Sequence, residues 1–262
     1  MTATSPLIIA HRGESIDAPE NTLAAINLAW ERGAEAVEVD VQLSKDNALV
    51  VIHDTDTRRL AGIDKKVVDQ TMEELKELDV GIWKDIQFKG EQIPVLEEVL
   101  DTINTGKKLI IEIKSGPETI PVLQNILASK HLLPEQIEII GFDLETMILA
   151  KHSFPENKVL WLLDLDYTCY TRLFKPSVLR GIKKAKKYHL DGLNIYAGKM
   201  INKKMIDQIH GAGLLAYCWT VNNIDKARKL TDWGIDAITT DGAAWLSHHL
   251  TQASPHSDPG SI

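Results

Sequence analysis

Short apolar runs alternate along the chain with longer segments whose apolar residues recur at helical spacing. The runs are three to five residues long and nearly continuous, a pattern typical of strands that are buried on both faces. Eight such runs are present. The predicted strands are Leu7 to Ala10, the run that opens at Val37, Leu109 to Ile111, Ile137 to Ile140, Val159 to Leu163, Gly192 to Ile195, Leu215 to Trp219 and Ala237 to Thr240.

Helical segments fill the intervals between these strands. The predicted helices are Asn21 to Arg32, Ile93 to Leu100, Thr119 to Lys130, Leu144 to His152, Ser177 to His189, Lys203 to His210 and Ile224 to Trp233. Repeated strand–helix alternation predicts a parallel sheet, and eight units predict an α/β fold of the closed (β/α)8 barrel type, the TIM barrel. An open doubly wound sheet is the alternative. We expect residues 1–250 to form this single domain.

Two segments fall outside the alternation. Between His53 and Leu109 the chain uses many more residues than one helix needs, and Thr55 to Gly90 is polar and charged, with a helical patch at Met72 to Leu78. We expect residues 55–90 to be a small insertion that caps one end of the barrel. Thr251 to Ile262 is rich in Ser, Pro, Gly and Asp and is predicted to be a flexible tail.

Composition narrows the class of protein. The hydrophobic content of 44% suits a sizeable core, and the net charge of −8 argues against a nucleic-acid binder, which would carry a basic face. Two cysteines, Cys169 and Cys218, provide no disulfide framework. No apolar stretch approaches the roughly 20 residues that span a bilayer, and no signal peptide is visible. We therefore expect a cytoplasmic protein without stable membrane anchoring, and the oligomeric state stays open.

The stretch from Val37 to Asp54, VEVDVQLSKDNALVVIHD, combines ionisable side chains with strand-forming residues. Side chains alternate along a strand, so Glu38 and Asp40 share one face. A polar turn after them would fold Leu49–Ile52 back as a hairpin arm and return His53 to the level of Glu38. Buried carboxylates need a compensating partner, and a hard divalent cation is the usual one. A solvated acidic edge strand is the alternative.

Further motifs link this stretch to a known family. His11-Arg12-Gly13 follows the first strand, and PENT, EVD and a histidine come next. In this order they resemble the glycerophosphodiester phosphodiesterase family, in particular its bacterial cytoplasmic type. The resemblance covers Leu7 to about Leu246 and includes, further along the chain, the segments Glu112-Ile113-Lys114, Gly141-Phe142-Asp143, Trp219-Thr220-Val221-Asn222 and Thr240-Asp241-Gly242.

Three acids at strand ends are the predicted metal ligands. Active sites of (β/α)8 barrels gather at the carboxyl ends of the strands, where Glu38, Asp40 and Glu112 would lie. Oxygen-only ligation suits Mg²⁺ or Ca²⁺ and does not suit a structural zinc site. The alternative is that Glu112 pairs with Lys114 and no metal binds.

The remaining candidates concern catalysis and substrate binding. His11 and His53 are the predicted general acid and general base, since imidazole exchanges protons near neutral pH. Arg12 and Lys114 would bind phosphoryl oxygens, or form ion pairs with the acids instead. Trp219 could pack against a glycerol or alcohol group, or contribute to packing only.

The resemblance implies metal-dependent hydrolysis of a small-molecule glycerophosphodiester, such as glycerophosphocholine or glycerophosphoethanolamine. The products would be sn-glycerol 3-phosphate and an alcohol, formed either by direct attack of water or through a cyclic phosphate. A phosphodiesterase of the lysophospholipase D kind is a second hypothesis, and a non-catalytic barrel that binds phosphoryl ligands is a third. The polar insertion favours small water-soluble substrates over lysolipids.

Overall fold

The computed structural model describes residues 5–166 and 177–251, which form a closed barrel of eight parallel strands with helices outside it. The predicted (β/α)8 fold is confirmed. The eight barrel strands are β1 (Leu7–His11), β2 (Ala36–Leu43), β4 (Lys108–Ile113), β5 (Ile137–Gly141), β6 (Lys158–Leu163), β7 (Gly192–Tyr196), β8 (Leu215–Trp219) and β9 (Ala237–Thr240). A ninth strand, β3 (Leu49–Val51), pairs with β2 and is antiparallel to it. The pairing of β1 with both β2 and β9 closes the barrel.

Helices follow the barrel strands close to the predicted positions. They are α1 (Leu23–Glu31), α2 (Arg58–Ala61), α3 (Met72–Lys76), α4 (Leu96–Leu100), α5 (Thr119–Ala128), α6 (Leu144–Ser153), α7 (Val178–Lys187), α8 (Lys203–Gly211), α9 (Ile224–Asp232) and α10 (Ala243–Thr251). No helix in the part of the chain that the structure describes is both long enough and apolar enough to cross a membrane.

The barrel strands are nearly continuous apolar runs because both of their faces are buried. Val37, Val39 and Val41 of β2 belong to the core between the strands and the outer helices. Ile9 and Ile110 belong to a second apolar cluster formed by the barrel strands. The alternation of side chains along β2 therefore leaves Glu38 and Asp40 on the face opposite the three valines, as predicted.

Strand β3 returns antiparallel to β2 as the predicted hairpin. Val41 pairs with Val51, and the amide of Ile52 donates to the carbonyl of Asp40 at 3.0 Å. The pairing of Leu43 with Leu49 leaves a five-residue turn between the two arms. His53 lies two residues beyond the end of β3, so its level relative to Glu38 is not set by this pairing and stays a prediction.

The segment at residues 55–90 follows β3, and although its composition is polar, four of its apolar side chains are buried. Its helix α3 begins at a capping box between Thr71 and Glu74. Four buried side chains of the segment form a small core with side chains from β3 and from the chain before α4. This core contains Leu60, Val67, Leu75, Val80, Val50, Ile52 and Ile93.

Two predictions concern residues that the structure does not describe. The predicted tail lies outside the described residues except for Thr251, which ends α10. Cys169 also lies outside them, whereas Cys218 is a buried free thiol. Burial raises the pKa of the Cys218 thiol to about 12, so it is an unreactive core residue.

Candidate active site

Three carboxylates meet on the neighbouring strands β2 and β4, level with the carboxyl end of β1 and close to that of β4. The register pairs Asp40 with Glu112, while Glu38 lies two residues earlier on the same face of β2. One oxygen from each of Glu38, Asp40 and Glu112 lies within 4.8 Å of the others, and all three residues are buried. The structure therefore brings the predicted metal ligands together in a group that could hold one metal ion.

Two cations border the carboxylates. The Arg12 amide donates to Glu38 Oε2 at 3.0 Å, and Arg12 Nε lies 3.2 Å from Asp40 Oδ2. Lys114 Nζ donates to Glu112 Oε1 at 2.8 Å and lies 3.6 Å from Asp40 Oδ1. The ion pair that the sequence offered as an alternative to metal binding, Glu112 with Lys114, is thus formed, and the carboxylate cluster exists beside it.

The cations do not fully compensate the acids. Burial, followed by the charges of Asp40 and Glu112, raises the pKa of Glu38 well above its ordinary value. Burial and Asp40 likewise raise the pKa of Glu112, although Lys114 opposes the shift. Three acids against two bases leave one formal negative charge, and among the described residues Glu38 Oε1 and Asp40 Oδ1 are buried without a hydrogen-bond partner. Two carboxylate oxygens that accept no hydrogen bond can ligate a cation, so the donor set fits a hard divalent metal.

Asp40 is held in place by a side chain that the sequence analysis did not assign. Asn21 Nδ2 donates to Asp40 Oδ2 at 2.8 Å, and Asn21 Oδ1 accepts from the Asp40 amide at 3.2 Å. Asn21 adopts a positive φ of 58° just before helix α1, whose N-cap is Thr22. The PENT segment therefore orients an acid of the cluster as well as starting a helix.

Each predicted catalytic histidine is bonded to a carboxylate. His11 Nδ1 lies 2.6 Å from Asp241 Oδ1, and His53 Nδ1 lies 2.8 Å from Asp54 Oδ1. Ionised carboxylates only accept, so each ring donates its Nδ1–H and keeps Nε2 as the exchangeable position. Within residues 5–166 and 177–251, no hydrogen bond to either Nε2 is formed.

The surroundings of His53 affect both its pKa and its orientation. Burial lowers the pKa of His53 below its ordinary value, although Asp40 opposes the shift. Gln42, on the same face of β2 as the acids, fixes the backbone there: its Nε2 contacts the carbonyl oxygens of Ile52, His53 and Asp54 at 3.0, 3.1 and 2.6 Å. His53 is therefore a rigidly mounted imidazole that favours the neutral form.

Trp219 belongs to an aromatic group on the far side of the mouth. Its ring centroid lies 5.6 Å from that of Phe142 and 5.2 Å from that of Tyr196. Its indole N–H is buried and has no hydrogen-bond partner among residues 5–166 and 177–251. Trp219 thus packs against other rings and keeps an N–H donor that no described residue pairs with, and its contact with a glycerol or alcohol group stays a prediction.

A cleft of about 370 Å³ opens beside His11, between the loop before α1 and the insertion. Ile16, Trp83 and Lys84 border it, and Lys84 Nζ donates to the Ser15 carbonyl at 2.7 Å. The insertion therefore reaches the mouth of the site. Its apolar residues Ile82, Trp83 and Ile86 are exposed, and Trp83 lines the cleft itself.

Several residues of the site were missed or set aside by the sequence analysis. Asp241 was quoted only for the resemblance, yet it bonds to His11 and also accepts from Asn222 Nδ2 at 2.5 Å. Glu20 accepts from Arg12 Nη1 at 2.7 Å. The adjacency of Asp54 to His53 was the one available signal, since the other partners depend on loop geometry.

Gly13 shapes the turn that carries His11 and Arg12. Its φ is 84°, and an added Cβ would lie 2.5 Å from the backbone carbon of Ala25. We expect Gly13→Ala to lower the free energy of unfolding by about 2–5 kcal/mol, from left-handed strain plus overpacking. Gly33→Ala is the matched control, because Gly33 has a φ of 88° with nothing near its Cβ position. Equal shifts in chemical denaturation would contradict the predicted clash.

Comparison with known proteins identifies one family. Residues 11–244 match the glycerophosphoryl diester phosphodiesterase family. A glycerophosphodiester phosphodiesterase of Caldanaerobacter subterraneus subsp. tengcongensis is 35% identical over 239 residues, which cover 90% of this chain and 93% of that protein. A glycerophosphodiester phosphodiesterase of Bacillus subtilis is 30% identical over 252 residues, covering 90% of this chain and 83% of the relative.

Solved structures of phosphodiesterases are similar to this chain over nearly its whole length. A phosphodiesterase of Oleispira antarctica, in complex with the product sn-glycerol-3-phosphate, has a TM-score of 0.83 and 28% identity, covering 94% of this chain and 97% of that one. A glycerophosphodiester phosphodiesterase of Thermotoga maritima has a TM-score of 0.76 and 28% identity, covering 94% and 98% of the respective chains.

Proposed function

The chain belongs to the glycerophosphoryl diester phosphodiesterase family and is an enzyme of that kind, and from this premise we propose how its site acts. Its substrates are small glycerophosphodiesters such as glycerophosphocholine or glycerophosphoethanolamine, which it hydrolyses to sn-glycerol 3-phosphate and an alcohol. The buried carboxylate cluster, in which two oxygens have no hydrogen bond from a described residue, is the observation that carries the proposal. The product named in the Oleispira complex supports the same chemistry.

Glu38, Asp40 and Glu112 would hold one divalent cation, Mg²⁺ or Ca²⁺. Bound there, the cation would offset the excess negative charge and polarise a phosphoryl oxygen. Two features of the chain support this assignment: the ligands are all carboxylates, and Arg12 and Lys114 leave the cluster with a net negative charge.

Arg12 and Lys114 bind the phosphoryl group in this proposal. Both side chains are mostly buried, at 17% exposure, and both already lie within 4 Å of Asp40. The charges of Glu112 and Asp40 outweigh burial and raise the pKa of Lys114, so it stays cationic when it meets an anionic substrate. Trp219, with its free indole N–H, would contact the alcohol or glycerol part.

His53 and His11 carry the proton transfers. The lowered pKa of His53 favours a neutral imidazole whose Nε2 accepts a proton from the attacking oxygen. His11, whose Nδ1 is bonded to Asp241, would protonate the leaving alcohol from Nε2. Both carboxylates stabilise the imidazolium form of their rings, as the third member of a catalytic triad does.

Residues 55–90 form a cap in this proposal, and they also favour a second candidate substrate. Trp83 lines the cleft beside His11, and Ile82, which precedes it, and Ile86, three residues after it, are exposed. An apolar edge next to the site could receive the acyl chain of a lysophospholipid, which would make the enzyme a lysophospholipase D.

Release of glycerol 3-phosphate from glycerophosphocholine tests the proposal directly. We expect release with Mg²⁺ or Ca²⁺ and none after chelation, because the carboxylates would then lack their cation. Lysophosphatidylcholine, assayed for choline release, is the matched substrate for the second candidate. Release that is unchanged by a chelator would contradict the metal assignment, and a preference for the lysolipid would replace the first candidate with the second.

A further inference from the structure

Arg58 and Arg59 are neighbours in the short helix α2 of the insertion, yet they have different partners. Arg58 pairs with Asp64 within the insertion, and both side chains are largely exposed. Arg59 instead reaches across to the barrel. Its Nε donates to Asp54 Oδ2 at 2.6 Å, and its Nη1 and Nη2 donate to Glu20 Oε2 and Oε1 at 2.9 and 2.7 Å.

Both partners of Arg59 stand directly behind proposed site residues. Asp54 binds His53 Nδ1 through its other oxygen, and Glu20 accepts from Arg12 Nη1 at 2.7 Å. An unbroken chain of charged contacts therefore runs from His53 through Arg59 to Arg12. A planar guanidinium forms such a fork with fixed geometry, which a single ammonium cannot do.

The contacts also affect the charge state of the carboxylates. Burial opposes ionisation of Asp54, but hydrogen bonds from Arg59 and His53 outweigh it and lower its pKa to about 2. Burial of Glu20 is likewise outweighed by Arg59 and Arg12, and the pKa of Glu20 is lowered. Both acids are therefore fixed acceptors at neutral pH.

We infer that Arg59 is a positioning residue that holds Asp54 in the orientation required to fix the His53 imidazole as its Nδ1–H tautomer. The insertion would then be a working part of the active site, through one side chain, in addition to a cap. The kinetic part of this inference rests on the proposed function, whereas the geometric part concerns His53 alone. The alternative is that the ion pairs only fasten the insertion to the barrel.

Nuclear magnetic resonance of the imidazole nitrogens tests the geometric part without any substrate. At about pH 8.5, two units above the ordinary histidine pKa, His53 should be neutral and its tautomer visible in ¹H–¹⁵N correlations. A His53→Ala spectrum assigns its signals among the nine histidines. We expect one tautomer, Nδ1–H, in the wild type and in Arg58→Met, and a mixture of tautomers in Arg59→Met.

Kinetics test the consequence. We expect Arg59→Met to lower kcat by about 10–100-fold, the factor that corresponds to one charge-assisted hydrogen bond, and Arg58→Met to leave kcat near the wild-type value. In a His53→Ala background, Arg59→Met should lower kcat no further, because its effect acts through that ring. Arg59→Lys serves as a second variant if the methionine variant does not fold. It should also show a mixture of His53 tautomers, because a single ammonium cannot form the fork.

The outcomes separate the two proposals. A wild-type enzyme that hydrolyses glycerophosphodiesters, with Arg59→Met and Arg58→Met alike in tautomer and kcat, overturns the inference and leaves the function intact. An additive loss in the His53→Ala background also overturns it. A wild type without hydrolytic activity, in which Arg59→Met still changes the His53 tautomer, would support the positioning role and refute the proposed function.

Discussion

Replacement of His53 by alanine is expected to lower kcat by about 10²–10⁴, the usual contribution of a positioned acid or base. His11→Ala should give a loss of the same order. The reason is geometric: each ring is fixed through Nδ1 to a carboxylate, so each Nε2 is oriented for one proton transfer. Metal affinity should stay near the wild-type value, since neither ring is assigned as a ligand. Turnover of glycerophosphocholine and metal titration measure the two quantities.

A good leaving group separates the roles of the two histidines. A nitrophenyl ester needs little protonation, so it should restore turnover in the variant that lacks the acid, which we assign as His11. It should not restore turnover in His53→Ala. The exposed His131, outside the site, is the matched control for alanine substitution. Near-wild-type turnover in both site variants would refute the acid–base assignment.

The pH profile should be bell-shaped. The pKa of His53 lies below its ordinary value, so the base is lost only as the pH falls through that lowered pKa, and the acid limb is shifted towards lower pH. The two limbs belong to the coupled site and not to single residues.

Glu38→Gln is expected to lower metal-dependent turnover by about 10²–10³-fold, while leaving the metal-free protein at least as stable as the wild type. In the metal-free protein, ionised Glu38 is destabilised by burial and by its two acidic neighbours. An amide removes that repulsion but ligates a hard cation poorly. Asp40→Asn and Glu112→Gln should weaken metal binding in the same way. Thermal unfolding with and without Mg²⁺ or Ca²⁺ measures both effects.

The sign of the pH dependence gives a further check. Glu38 holds its proton more tightly in the folded chain than in the unfolded chain, so the metal-free wild type should lose stability relative to Glu38→Gln as the pH rises above 4.5, the ordinary value. Bound metal should reverse this trend. Glu73→Gln, at an exposed position of α3, is the matched control. A wild-type midpoint that does not respond to either metal would contradict the assignment.

Local patterns predicted the fold because they depend on sequence alone. Apolar runs such as Ile137 to Ile140 must be strands buried on both faces, and eight of them with intervening helices have few arrangements available. The acids of β2 and β4 could be placed for the same reason, since strand alternation fixes their face and the barrel fixes their end. Their roles remain predictions.

Contacts between loops could not be predicted in this way. Glu20 and Arg59 are far apart in sequence, and nothing local shows that they form a forked pair. Gln42 reads as an ordinary polar strand residue until the backbone of His53 folds against it. The level of His53 relative to Glu38 could not be fixed from composition either, because it depends on turn geometry and on the backbone beyond β3.

The pairing of β2 with β4 places alternate residues of the two strands on one face, so the site depends on which positions carry the polar groups. The polar groups are at positions 38, 40 and 42 of β2 and at positions 112 and 114, in β4 and just after it. Val39 and Ile111, on the opposite face, belong to the core under the helices. Exchanging the order of Val39 and Asp40 would leave composition and net charge unchanged. It would nevertheless turn a carboxylate towards that core and a methyl group towards the metal site. Two chains of identical composition would then differ in whether a catalytic centre exists at all.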